Sequence, residues 1–236
     1  MSSLLRKRLT RVRERIEAAK KNRDSTDEVR LVAVSKTHDV EAMKVLYDEG
    51  VRSFGESYVQ EWQEKAEEMP SDTEWHFVGR LQSNKARFLA DRVRLIHSVD
   101  RKSLMKALDR RGEGRIDVLL QVNLGLQDTK GGVAIEDLEK LMDRATHYPG
   151  IRVRGLMGIP PYSSDPEETR PYFQRLRKAL VDLQGYVEDH YGEHRAALTE
   201  LSMGMSNDFE VAIEEGATII RLGTALFGQR DYDDTE

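Results

Sequence analysis

The feature that most limits the folds open to this chain is a rhythm. Eight short runs, most of them strongly apolar, alternate with amphipathic stretches from residue 31 to residue 222 without a compositional break. They fall at residues 31–34, 52–54, 75–78, 93–98, 116–122, 151–159, 198–203 and 218–222. A run such as Leu-Val-Ala-Val, apolar at consecutive positions, suits a strand covered on both faces, which is the condition of a parallel sheet. Strands that alternate with helices join through right-handed crossovers, and eight such units close on themselves. The expectation is therefore an α/β fold, a (β/α)8 TIM barrel forming one domain over residues 1–236, with an open doubly wound sheet as the fallback.

The helical signals agree. Leu5, Leu9, Val12, Ile16 and Ala19 recur at helical spacing ahead of the first strand, with arginine and lysine on the other face, and predict an additional N-terminal helix. Asp39 caps a helix through Asp48 that Gly50 stops. Val59, Trp62 and Ala66 lie on a helix that ends before Pro70; Ser83 and Asp100 open the next two, the latter running to near Gly112. A helix over 135–148 is closed by Pro149 and Gly150. Asp165, Pro166 and Glu168 spell N-cap, first-turn proline and an acid placed to reach back, starting a helix that runs to about Tyr191. Residues 207–215 form a helix stopped by Gly216. No clear helix follows the eighth run.

Composition closes off several functions. The net charge of -5 argues against nonspecific nucleic-acid binding, and no apolar stretch is long enough to span a bilayer. With no cysteine there is no disulfide, thiolate or cysteine-metal chemistry, which accords with a cytoplasmic protein. His190 and His194 stand four apart, but Gly192 lies between them and no third metal ligand is evident, so a solvated helix end is the better reading. No glycine-rich nucleotide fingerprint follows a strand, and Gly125–Gly132 reads as a loop because Lys130 precedes a glycine.

The chemistry gathers at the carboxyl ends of the strands, where parallel α/β sheets bind ligands. Lys36 leaves the first strand there, and partial burial of such an amine favours the neutral, nucleophilic form. In a closed barrel the eighth strand lies beside the first, which makes Arg221 a neighbour of Lys36. Ser202, Gly204 and Ser206 follow strand seven, Gly223 and Thr224 follow strand eight, and Asn207 opens a helix; loops at these two places commonly bind phosphate. An amine able to form an imine, an arginine beside it and a phosphate cradle together describe a pyridoxal phosphate site. Ordinary turn chemistry accounts equally for the glycines and serines. His76 and His97 lie on strands three and four and can point into the barrel mouth, where His76 suits either a contact with the cofactor or a satisfied core position; Glu56 suits hydrogen bonds to nearby groups or a helix start, and Met203 and Met205 read as core filler.

Six motifs carry a resemblance: LVAVSKTH from Leu31, FGESYVQE from Phe54, WHFVGRLQSNK from Trp75, GLMGIPP from Gly155, LSMGMSNDFEVAI from Leu201 and IIRLGTALFG from Ile219. Through them, over nearly its whole length, the chain resembles the pyridoxal phosphate homeostasis proteins, relatives of the alanine racemase N-terminal barrel. The resemblance implies that Lys36 carries pyridoxal 5'-phosphate as an internal aldimine. It also implies that Ser202, Gly204, Ser206, Gly223 and Thr224 cradle the phosphate, and that Arg221 faces the pyridine nitrogen. Ser57 stands where the family has asparagine and offers a shorter contact with one donor. In the related racemase a second base comes from a C-terminal domain, for which Glu236 leaves no room. The implied function is a protein that holds the cofactor and takes part in its homeostasis, supplying dependent apoenzymes, as a monomer; the alternative is a weak amino-acid racemase. An aldolase lysine is remote, and Lys85 and Lys130 are the next lysines should Lys36 not be the anchor.

Overall fold

The computed structural model describes residues 2–23, 27–109, 115–125, 131–192 and 198–229. Eight parallel strands close into a barrel in chain order: β1 (Arg30–Val34), β2 (Ser53–Glu56), β3 (Glu74–Phe77), β4 (Leu95–Val99), β5 (Ile116–Val122), β6 (Ile151–Gly158), β7 (Glu200–Ser202) and β8 (Ile219–Leu222). The ring shuts where β1 pairs with β8, Val32 opposite Arg221. The barrel expected from the alternation is thus the fold, and the open sheet is excluded.

Helices lie between the strands: α1 (Ser2–Lys20), α2 (Val40–Asp48), α3 (Val59–Glu68), α4 (Ala86–Leu89), α5 (Lys102–Asp109), α6 (Leu138–Thr146), α7 (Arg170–Tyr191), α8 (Phe209–Glu214) and α9 (Thr224–Phe227). The five apolar residues anticipated on α1 are its buried face. They pack against α2, α8 and α9, so α1 bridges the first and last units of the ring. Asp39 caps α2, accepting a hydrogen bond from the Ala42 amide.

Several local expectations need correction. Strand β2 begins later than residue 52 and runs through Gly55 to Glu56, because Gly55 faces inward where a Cβ would lie 2.9 Å from the Val32 methyl; the glycine is a packing requirement rather than a stop. Ser83 opens a single 3-10 turn before α4 rather than a full helix. Asp165 does cap, through the Glu167 amide, but Glu168 accepts from the Ser163 hydroxyl instead of reaching back to Asp165, and a 3-10 turn precedes α7. Helix α8 starts at Phe209, since Asn207 is engaged in donating to the Ser163 carbonyl. A short helix, α9, does follow β8. The expected end of α5 near Gly112 lies outside the described residues.

Two apolar layers result. Phe54, Trp62, Phe77, Phe173 and Phe209 belong to the larger, between strands and helices, and each is fully buried. Val32, Leu95, Leu119, Met157 and Ile219 form the smaller, inside the barrel. Strand alternation then decides which side each later residue serves: on β1, Val32 and Val34 point inward with Lys36 beyond them, while Ala33 and Ser35 point out toward the helices.

Candidate functional site

The carboxyl end of β1 closes in a four-residue turn in which the His38 amide donates to the Ser35 carbonyl at 3.0 Å, with Lys36 and Thr37 at its centre. Lys36 is half-buried at the barrel mouth. Thr37 has a φ of 67°, a left-handed conformation that is a genuine outlier for a β-branched residue. The turn is held from the outer layer. The Lys65 ammonium, buried on α3, donates at 2.7 Å to each of three acceptors: the Ser35 carbonyl, Glu56 Oε1 and Glu61 Oε1. Glu56 Oε1 also accepts from the Ser35 hydroxyl at 2.7 Å, and Glu61 Oε1 accepts from the Thr37 amide at 2.5 Å. Burial raises the Glu56 carboxyl above its ordinary value, against the lowering effect of Lys65. Glu56 is therefore the fully buried end of a strand, not a carboxylate at a helix start.

Across the seam, Arg221 is buried inside the barrel. Its register partner is Val32, two inward positions below Lys36, so the two cations share the seam at different depths. Arg221 donates through Nη1 to the Ser202 hydroxyl at 2.6 Å and through Nη2 to the Gly158 carbonyl at 3.1 Å; these bonds leave Nε as a further donor. Burial lowers its pKa to about 10, so it keeps its charge at neutral pH. From Ser202 a polar chain continues: its hydroxyl meets His97 Nδ1 at 2.9 Å, and His97 Nε2 meets His76 Nδ1 at 2.9 Å. Both histidines are fully buried. Desolvation, aided by nearby arginines, pushes His76 down to about 3 and His97 well below the ordinary range, so both rings are neutral.

The remaining candidates divide between the barrel interior and its rim. Ser202 belongs to the interior, fully buried with its hydroxyl taken by Arg221 and His97, and His76 lies at the far end of that chain. Ser206, Gly223 and Thr224 come together at the rim, where the Ala225 amide donates to the Ser206 hydroxyl at 3.0 Å. A Cβ at Gly223 would approach nothing nearer than the Val34 carbonyl, 3.5 Å away, so this glycine stands against the β1 end. Gly204 has a φ of 88°, and a Cβ there would lie 2.6 Å from the Ala212 methyl: this glycine serves close packing on α8. Ser57 follows β2, its backbone tight against Gly79. The hydroxyls of Ser57 and Thr224 make no hydrogen bond among the described residues. Met203 is core, as expected, while Met205 is exposed. His190 bonds the Tyr186 carbonyl within its own helix, and His194 and Lys130 lie outside the described residues. No cluster of three or more metal-ligating side chains occurs among the described residues.

A half-buried amine, a charged guanidinium across the seam and hydroxyls with spare donors at the rim fit an aldehyde-bearing aromatic phosphate by the chemistry of the donor set. Lys65, Glu61 and Ser35 went unread as site residues. The available signal was a lysine on the Val59–Trp62–Lys65 stripe, the buried face of α3.

The closed eight-stranded parallel barrel places the chain in the class of the alanine racemase N-terminal domain, whose family model matches residues 8–231. Within that class the chain belongs to the family of the pyridoxal phosphate homeostasis proteins. It is 46% identical over 230 residues to the pyridoxal phosphate homeostasis protein of Aquifex aeolicus, covering 95% of this chain and 98% of that one. It is 37% identical to the Escherichia coli protein of the same name, covering 95% and 96%. Among solved structures, the PipY protein of Synechococcus elongatus with pyridoxal phosphate bound superposes with a TM-score of 0.80 at 36% identity, covering 95% of this chain and all of that one. Alanine racemase from Corynebacterium glutamicum shares the fold at a TM-score of 0.68 and 17% identity, with 60% of its chain covered.

Proposed function

We propose that this protein binds pyridoxal 5'-phosphate at the barrel mouth and takes part in its homeostasis, holding the aldehyde in a protected, releasable form. The observation that carries the reading is the β1–β8 seam, which puts a lysine and an arginine on neighbouring strands toward one end of the barrel, in a chain 46% identical to a named homeostasis protein. Once bound, the cofactor supplies an electrophilic aldehyde carbon and a conjugated ring.

The protein's part follows from its side chains. Lys36 would be the residue that holds the aldehyde end, and Ser206, Gly223 and Thr224, with the adjoining backbone, would hold the phosphate, with Ser57 near the ring. Arg221 is a donor only and keeps its own proton, so it would supply a hydrogen bond and no proton to a bound ring. His97 and His76, both neutral, fix Arg221 through Ser202 and bring no second charge to the pocket. A donor-only partner of this kind would leave a bound ring a weak electron sink, which suits storage better than turnover. The reading carries with it a cytoplasmic monomer with apoenzymes as recipients. Among the described residues no helix is long and apolar enough to cross a membrane.

Visible absorption of the purified protein, borohydride reduction and peptide mass mapping test this. The expected result is a yellow protein whose reduced adduct maps to Lys36 and is missing in Lys36→Ala. An undiminished adduct in that variant moves the anchor to Lys85 or Lys130. Amino-acid racemisation at an ordinary enzymatic rate, on the order of one to a thousand per second, replaces the storage reading with the racemase.

A further inference from the structure

Thr37 is in a conformation it would not choose. With φ at 67° in the third position of the Ser35–His38 turn, it occupies the place that a type II turn reserves for glycine. Such strain persists only where the surroundings over-determine it. Here the surroundings are specific. The residue before Lys36 and the residue after it are both tied to one ammonium, Ser35 directly through its carbonyl and Thr37 through Glu61. That ammonium is itself fixed on α3 by the buried Glu56, so all three of its protons are committed. On the other side, the His38 ring stacks on Phe227 of α9 with centroids 4.4 Å apart, linking the turn to the helix that begins at Thr224.

A lysine that bonds a cofactor has four rotatable bonds and finds its target only if its Cα is placed. We propose that Lys65, acting with Glu61 and Glu56 from the layer outside the barrel, is the positioning device for Lys36: the clamp holds the Ser35–His38 turn in its strained form and so aims the amine into the mouth. Neither Lys65 nor Glu61 touches the cofactor in this scheme. The inference rests on the proposed function above for what Lys36 does, and on geometry alone for how the turn is held.

The test uses the full chain and two kinds of reading. In the cofactor-free protein, amide hydrogen exchange by NMR reports the Thr37 N–H directly. Protection in the wild type, lost in Glu61→Ala, is expected; equal exchange in the two overturns the clamp. In titrations with pyridoxal phosphate, Lys65→Met is expected to weaken uptake about tenfold and to shift the absorption of the bound form. Adding Thr37→Gly, which removes the conformational cost at that position, is expected to restore most of the loss. A role of Lys65 in general stability would not be repaired by that glycine. A folded Lys65→Met protein with wild-type uptake, or a folded double variant as weak as the single, overturns the proposal. Should Lys65→Met fail to fold because Glu56 is left buried alone, Glu61→Ala with and without Thr37→Gly repeats the titration from the more exposed end of the network. A wild-type protein that takes up no cofactor refutes the function reading instead, and the Thr37 exchange still decides the clamp.

Discussion

Lys65 shows at the scale of one residue what a sequence conceals. Glu61 and Lys65 stand four apart on a helix, the spacing of an ordinary solvated ion pair, yet the Lys65 side chain is only 8% exposed because a carbonyl and a carboxylate wait for it underneath. Lys36 was legible, since an apolar run ending in a lysine needs no knowledge of its neighbours. Ser202 was legible as polar but not in its direction: alternation along a three-residue strand sends it into the barrel, where Arg221 takes its hydroxyl. Ser202→Ala is accordingly expected to lower unfolding free energy by about 1–3 kcal/mol in urea titrations, the cost of leaving a buried donor without its acceptor. A phosphate contact would instead reduce cofactor affinity and leave stability nearly unchanged. Lys36→Ala, at the mouth, is expected to shift the same urea curve by less than about 1 kcal/mol.

Elements were easier to read than residues wherever periodicity was long. The stripe on α1 appears in the structure as written, because five apolar residues at helical spacing leave one arrangement with their face covered. Helix α9 was missed: four residues, Thr224–Phe227, are too few to show a period, and their helical form is supported from outside by Arg8, whose Nη1 donates to the Phe227 carbonyl at 2.6 Å. The start of α8 was misplaced for a similar reason, since Asn207 has a tertiary partner that no local rule supplies. Because Leu9 on α1 is wholly buried, Leu9→Ala is expected to cost about 2–5 kcal/mol by thermal or urea unfolding. An exposed neighbour such as Thr10→Ala, measured alongside, is expected to change little.

For the whole molecule the buried histidines set an acid limit. His76 and His97 have folded pKa values depressed below the unfolded value near 6.5, so between those limits the unfolded chain binds protons that the native barrel refuses. Stability therefore rises with pH through this window and falls as pH drops below about 6.5. The slope is about 1.4 kcal/mol per pH unit for each histidine once it is protonated in the unfolded state. Melting temperatures measured from pH 7.5 to pH 5 are expected to decline, and a flat profile would place those rings in contact with water. Glu56 and Asp208, raised by burial, act in the opposite sense, losing stability as pH rises above their unfolded values, so the histidine slope is partly offset at the acid end.

The pairing of β1 with β8 has a consequence for synthesis. Val32 and Arg221 are register partners in the sheet, yet strands β2 to β7 are made between them, and α1 rests on α8 and α9, which emerge after those strands. On the ribosome the apolar face of α1 and one edge of β1 wait without their partners, and the ring shuts only after translation has passed β8. The proposed site spans that final joint, so on this reading a nascent chain cannot begin to bind its ligand piecemeal: the capacity to bind arrives in one event, together with closure.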